Sequence, residues 1–536
     1  MPVGVRFGAV ALALFLALGV TLNAQVYEQL APKTPADVPV VALPKADARA
    51  SLSAGGDRVI LPVLRGLIFM TDQSQFRREG VTMTSLEVSG EPLLETAEFR
   101  ALVTPRLGQP VTNHTLDRLT RDVVLYFRQH GRPVVDVLIP EQNVTTGAMQ
   151  VLVIEGRRGE VRVEGNKWFS AEQIAAAVRA PRDEIIEGAP LLADLVWLNQ
   201  NPFRQVDLVY TRGERAGETD LVLRVRDRNP LRFYTGYEDS GNALTGFDRV
   251  LAGFNWGQAL ARDAQLNYQF TASPDFRELA AHSASFILPL PRLRHTLTVF
   301  GSYAESRPEL AGGLFNLDGK SWQVSARYRV PLAARGAWTP DFTAGVDFKR
   351  SNNNLSFGGT QVFAQSTDVI QALAALAIRH TDKRGTTTAE LTVAVSPGGL
   401  SAGNHTGVYR AARAGARPDY AYATFELERI TRLSATGWSW RLHGTAQLSS
   451  ANLLGSEQLG LGGATSLRGY EEREANGDDG AVLVNELHAP VRHLRAGDAL
   501  DPFVFLDAGV VASHERLTGE PSRLTLASTG LGLRYN

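Results

Sequence analysis

The sequence lacks cysteine and has almost no net charge. Among its 536 residues, 55 Lys and Arg balance 56 Asp and Glu, which gives a formal charge of −1. The absence of cysteine excludes disulfides, iron–sulfur clusters, thiol catalysis and cysteine-based zinc sites. A balanced charge gives no general attraction to nucleic acid, so no nucleic-acid partner is predicted.

Long apolar runs are missing beyond the N-terminus, which argues against a helical membrane protein because a spanning helix needs roughly 18 or more apolar residues. Residues 1–24 join one positive charge, Arg6, to a short apolar run that ends near Ala24. Polar sequence follows, so a Sec-type signal peptide is predicted, with a membrane anchor as the alternative. Residues 25–57 contain four prolines and are expected to form a Pro-containing linker.

Familiar catalytic and ligand-binding motifs are also missing. The ten histidines are scattered, and neither His-Glu-x-x-His nor Gly-x-Ser-x-Gly occurs. A Gly-Lys-Ser triplet at 319–321 leads into a predicted strand and stands at the wrong distance from Gly313 for a phosphate loop. The sequence therefore predicts no enzyme, no cofactor, no metal and no nucleotide.

Two similar α+β units are predicted between residues 58 and 229. The first unit, 58–156, is expected to contain strands at Leu86–Val88, Val134–Ile139 and Gln150–Ile154 and a helix at Thr115–His130. The second unit, 157–229, is expected to contain strands at Val161–Glu164, Gln205–Tyr210 and Asp220–Val225 and helices that follow Ser170 and span Leu191–Asn199. The order strand, helix, helix, strand, strand recurs, which indicates a tandem repeat.

Residues 230–536 have a different pattern, in which polar and apolar residues alternate over segments of about ten residues. Strands of this length with one apolar and one polar face are typical of an outer-membrane β-barrel, while a secreted sandwich or solenoid is the alternative. About fourteen such segments follow Leu231, the last at Leu526–Tyr535. Four polar side chains are expected to face the lumen because lipid would disfavour them: Arg327, Arg329, Arg441 and His443.

A loop of about thirty residues separates two of these strands and is far longer than an ordinary hairpin connection. It contains the Gly-rich sequence Gly462–Tyr470, in which Leu467, Arg468, Gly469 and Tyr470 form the predicted tip. On a later strand, Asp507 follows three apolar residues and needs a cation or water as partner.

With these features the chain resembles the two-partner secretion transporters, the haemolysin-activator class of the BamA-like superfamily. The resemblance covers nearly the whole mature chain and is carried by Arg132–Val137, Pro140–Gln142, Asn199–Arg204, Gly236–Asn242, Thr245–Gly246, Arg468–Tyr470 and Phe505–Gly509.

The resemblance implies α+β POTRA repeats followed by an antiparallel transmembrane β-barrel of sixteen strands. It also implies that the loop folds back into the lumen and that Arg468 contacts Asp507, with Phe505 and Gly509 on the same strand. The alternative is a solvated Arg468 and a water-bound Asp507. Since about fourteen strands are visible, either two strands are missing through truncation or frame shift, or the barrel closes with fewer. The prolines in residues 25–57 place an N-terminal plug helix, known in the family, in doubt.

The function that this resemblance implies is secretion of an unfolded exported polypeptide, a large β-helical exoprotein, captured by the POTRA domains and passed through the barrel. The location implied is the outer membrane of a Gram-negative (diderm) bacterium, with the POTRA domains in the periplasm. Outer-membrane lipid and the barrel-assembly machinery are the other expected partners. An assembly factor of the BamA type is the first alternative, and a passive porin is the second.

Overall fold

The computed structural model describes residues 31–35, 58–242, 245–260, 263–307, 309–310, 315–357, 360–495 and 498–535. The predicted signal peptide and most of the predicted linker lie outside these residues. Contacts divide the chain into two compact units, Pro35–Pro230 and the rest. Within the described residues, no helix combines the length and apolarity needed to cross a membrane.

The first α+β domain lies in the Pro35–Pro230 unit. Its strands are β1 (Val59–Leu61), β2 (Gly66–Met70), β3 (Leu86–Val88), β4 (Val111–Thr112), β5 (Val135–Leu138) and β6 (Ala148–Glu155), and its helices are α1 (Pro92–Glu95), α2 (Ala97–Val103) and α3 (Asn113–Gln129). The main sheet has the order β3-β2-β6-β5, in which β2 and β6 are parallel, and β1 pairs with β4.

Helix α3 confirms the helix predicted from spacing. Its first turn is fixed by Thr112 and Thr115, whose side chains each accept a hydrogen bond from the other residue's backbone N–H. Its apolar face, with Val123 and Phe127 fully buried, packs against the sheet. The short strand β2 was not predicted, because its five residues are all buried and therefore do not alternate.

The second α+β domain repeats this order. It consists of β7 (Arg157–Glu164), α4 (Ala171–Ala175), α5 (Gly188–Leu198), β8 (Arg204–Arg212) and β9 (Glu218–Asp227). Ser170 caps α4 as predicted, by accepting a hydrogen bond from the backbone of Gln173. The sheet order is β7-β9-β8, with β7 parallel to β9. The counterpart of β7 in the first domain is β2, which corrects the assignment of that place to Leu86–Val88.

Backbone and charged contacts join the two α+β domains. The Gly188 N–H donates to the Gly131 carbonyl at 2.9 Å, at the start of α5. Arg132 lies 2.8 Å from the carboxylates of both Glu155 and Glu187. Burial, together with the nearby Glu91, raises the pKa of the Glu155 carboxyl to about 7 although Arg132 opposes the shift.

The other unit is a wall of fourteen antiparallel strands, each paired with its neighbour in chain order, and its last strand confirms the predicted one. The strands are β10 (Leu231–Asn242), β11 (Gly246–Ala259), β12 (Ala264–Ala272), β13 (Leu279–Leu290), β14 (His295–Ser306), β16 (Phe315–Pro331), β17 (Trp338–Phe357), β18 (Thr360–Thr381), β19 (Gly385–Pro397), β20 (Asp419–Arg432), β21 (Ser439–Ser449), β24 (Asp479–His488), β25 (Leu500–Ala512) and β26 (Leu524–Tyr535). Short strand β15 (Glu309–Leu310) pairs with β16, and β22 (Leu459–Leu461) pairs with β23 (Ala475–Gly477). Helix α6 (Thr406–Ala412) lies between β19 and β20.

The predicted alternation divides this wall into two faces. On β16, Gln323 and Ser325 are buried whereas Val324 between them is 49% exposed. On β25, Asp507 is buried and Leu506 is 60% exposed. We call the face that carries Gln323 and Asp507 the inner face; the other presents apolar side chains, as a lipid-facing surface does.

A short piece of the predicted linker lies against the inner face of β10–β12. The backbone N–H of Lys33 lies 3.1 Å from the Tyr234 hydroxyl, and its carbonyl accepts from the Asn255 amide at 2.9 Å. Its ammonium group pairs with Glu238. These contacts hold Lys33 beside polar side chains of the wall.

Candidate functional site

The long loop between β21 and β24 carries the predicted tip. Strands β22 and β23 form its stem, and the segment between them turns at glycines with positive φ, including Gly462 at 112° and Gly469 at 89°. A β-carbon at Gly462 would lie 2.1 Å from the Glu471 carbonyl oxygen, so no residue with a side chain fits at position 462 of this turn. The loop folds against the inner face, where Leu467 is fully buried.

Arg468 meets Asp507 through a two-pronged ion pair. Its Nε donates to Asp507 Oδ2 at 2.7 Å and its Nη2 donates to Oδ1 at 2.6 Å. The Asp507 side chain is wholly buried, and the Arg468 side chain is 16% exposed. A buried carboxylate needs a cation and directed hydrogen bonds, and the planar guanidinium supplies both.

Glu486 on β24 is a third member of this site that the sequence analysis missed. Its carboxylate accepts from Arg468 Nη1 at 2.5 Å and from Arg534 Nη2 at 2.8 Å. His488 Nε2 lies 3.0 Å and Arg441 Nη1 3.7 Å from the same carboxylate. Arg468 therefore joins two carboxylates on neighbouring strands, while Glu486 also ties β26 and β21 to the tip.

Further contacts with β25 and β26 complete the packing of the tip against the wall. The Phe505 ring lies 4.0 Å below the Arg468 guanidinium carbon, in cation–π geometry. Gly509 leaves room for the loop, because a β-carbon there would lie 2.7 Å from Leu461 and 3.0 Å from Leu467. The Tyr470 hydroxyl donates to the Ala527 carbonyl on β26 at 3.0 Å. The tip thus contacts β24, β25 and β26.

The four polar residues predicted to face the lumen divide between two places. Arg441 lies beside the tip site and pairs with Glu428 at 2.7 Å, and His443 follows it on β21 with Thr445 Oγ1 at 3.5 Å. Arg327 and Arg329 lie on β16, where they pair with Asp347 at 2.6 Å and Asp341 at 3.0 Å, respectively. The structure does not bring Arg327 and Arg329 to the tip.

No metal-binding arrangement accompanies this site. Within the described part of the chain, no three His, Asp or Glu side chains are grouped so that they could hold a metal ion. The charged groups at the tip instead satisfy one another, so the arrangement can hold the loop against the wall.

Comparison with known proteins places this geometry in a family. Residues 217–535 match the family described as haemolysin secretion/activation protein ShlB/FhaC/HecB, which is more than half of the chain. The chain belongs to this family. Residues 81–156 match the ShlB-type POTRA domain, within the first α+β domain.

Two curated relatives resemble the chain over most of its length. It is 21% identical over 462 residues to the heme/hemopexin transporter protein HuxB of Haemophilus influenzae, covering 82% of this chain and 78% of HuxB. It is 23% identical over 426 residues to the outer membrane transporter CdiB of Escherichia coli, covering 76% of this chain and 68% of CdiB.

A solved structure shows the same fold. The structure of CdiB from Escherichia coli matches with a TM-score of 0.68 at 19% identity and covers 93% of this chain and 87% of that chain. The fourteen-strand wall is thus the wall of an outer-membrane β-barrel. The protein is an outer-membrane transporter of the two-partner secretion type, with POTRA domains in the periplasm of a Gram-negative bacterium.

Proposed function

We propose that the tip site is the resting closure of a conduit for an unfolded exported polypeptide, a large β-helical exoprotein. The observation that carries this proposal is the buried ion pair between Arg468 and Asp507. Because the pair joins a loop to the wall, rather than strand to strand, it can open without breaking the hydrogen bonds of the barrel.

The order of the strands gives the side of the membrane from which the loop enters the barrel. Strand β10 enters the membrane from the periplasm, where the POTRA domains lie, so odd-numbered strands of the path run outward. Strand β21 is the eleventh, and the loop that follows it therefore starts at the cell surface. A loop that starts outside and ends on the inner face closes the lumen from the outer side.

Capture of the exoprotein is assigned to the sheet edges of the α+β domains, which we take as POTRA domains spanning 58–156 and 157–229. Strand β8 is an outer edge. The Asn199 side chain forms hydrogen bonds with both the backbone N–H and the backbone carbonyl of Val206. The backbone polar groups of Val206 are therefore directed away from β9, toward the open edge of the sheet. The backbone N–H and carbonyl groups of Leu208 and Tyr210 are directed to the same edge, because the direction of these groups alternates from residue to residue in an antiparallel strand. An extended cargo can pair with them by strand addition.

The remaining assignments complete the proposal. Residues 1–24 act as the signal peptide, 25–57 as the linker and 230–536 as the barrel, which contacts outer-membrane lipid and requires the barrel-assembly machinery for insertion. Transport needs no catalytic step, cofactor or nucleotide, since folding of the cargo outside supplies a driving force. Nucleic acid has no part in it.

Deletion of the coding sequence tests this function against the alternative of an assembly factor. The co-encoded exoprotein should disappear from the medium, while the amounts of other outer-membrane proteins stay constant, and the intact sequence should restore secretion. A general loss of outer-membrane proteins would instead favour the assembly factor. Unchanged secretion would contradict the proposal.

A further inference from the structure

The long loop has a second buried charge, Glu457, eleven residues before Arg468. Glu457 is 4% exposed, although it lies in a loop. Its Oε1 accepts from the Lys349 ammonium group at 2.8 Å. The Glu457 side chain is 1% and the Lys349 side chain 14% exposed, so this ion pair is more deeply buried than an ordinary surface pair.

The other carboxylate oxygen of Glu457 is bound by two neutral donors of the wall. Oε2 accepts from the Gln371 amide at 3.0 Å and from the Tyr422 hydroxyl at 3.1 Å. The Glu457 carbonyl accepts from the Gln447 amide at 3.0 Å. Both carboxylate oxygens and the backbone are therefore occupied, as a buried charge requires.

This cluster continues into the wall. Gln371 also donates to Asp347 at 3.0 Å, and Asp347 in turn pairs with Arg327 at 2.6 Å. The predicted lumen-facing Arg327 thus belongs to the surroundings of Glu457 and not to the tip site. The wall residues around Glu457 come from β16, β17, β18, β20 and β21, whereas the tip contacts β24, β25 and β26.

We infer that Lys349 and Glu457 form a second attachment of the loop, on a separate stretch of the wall, and that both attachments must release before cargo passes. The inference rests on the proposed role of the loop as closure. A loop attached only at Arg468 could rotate about its stem, whereas a loop attached at both places is held against two separate parts of the wall. Lys349 and Glu457 are positioning residues in this scheme.

Three variants of the full chain test it: Lys349→Met, Glu457→Gln and the double variant. The matched control is Lys320→Met, which removes a half-exposed lysine on the outer face of β16 that pairs with Glu305 and does not face the loop. Ion conductance of the purified protein in planar lipid bilayers reports closure, and secretion of the exoprotein in cells reports transport. Heat-modifiable migration in electrophoresis identifies a folded barrel.

Each single variant should raise the time-averaged conductance about tenfold, which corresponds to about 1.4 kcal/mol, while the control stays at the wild-type level. The double variant should show less than the product of the two single effects, because removing both partners leaves no unpaired buried charge. Folded single variants with wild-type conductance would overturn the second attachment. A wild-type chain that secretes nothing would instead refute the proposed function, whatever the conductance.

Discussion

Arg468→Lys is the sharpest perturbation of the tip, because it keeps the charge and removes the planar fork. Arg468 donates three side-chain hydrogen bonds to the carboxylates of Asp507 and Glu486. The single nitrogen of lysine cannot keep both carboxylates in this geometry. A hydrogen bond to a charged group contributes about 1.5 to 3 kcal/mol, and the lower value applies here because the Arg468 side chain keeps slight solvent access. Losing two such bonds therefore costs roughly 3 kcal/mol.

A cost of about 3 kcal/mol shifts the balance between seated and released tip by roughly 100-fold. Conductance of the purified Arg468→Lys protein in planar bilayers should rise accordingly, and cells should take up large antibiotics that the intact outer membrane excludes. Arg329→Lys is the matched control, since Arg329 lies on the inner face, is half-exposed and pairs with Asp341 at a distance from the tip. If the conductance of Arg468→Lys is no higher than that of this control, the two-pronged contact of Arg468 does not hold the tip closed.

Two further changes test the packing of the tip and the charge between the periplasmic domains. Gly509→Ala should loosen the tip and speed its cleavage by added protease, because the new methyl group would press on Leu461 and Leu467; equal cleavage rates would contradict this. Glu155 has a pKa of about 7 when folded against an ordinary 4.5, so the folded state keeps a proton that the unfolded state loses. The stability of its domain should therefore fall as pH rises from 5 to 8, by about 1.4 kcal/mol per unit of pKa difference at most. Hydrogen exchange of the β6 amides should show this fall, and Glu155→Gln should abolish it; the same fall in the variant would assign it to another group.

Some features of this structure can be predicted from the sequence and others cannot, for physical reasons. Helix α3 and the strands of the barrel have clear periods, so their positions follow from spacing. Strand β2 is buried on both sides and has no period to detect. Glu486 stands in an alternating strand, but its place beside Arg468 depends on the strand register and the path of a loop. Glu457 lies in that loop, where no periodic pattern distinguishes a buried carboxylate from a solvated one.

The contacts between the two α+β domains have a consequence for the kinetics of capture. The bond from Gly188 to Gly131 and the bridging Arg132 fix one domain against the other. Edge strands β5 and β8 are therefore presented at a constant spacing and orientation. If cargo pairs with these edges as proposed, a polypeptide bound to one edge meets the other at a high effective concentration, so two weak attachments act together as one stronger attachment.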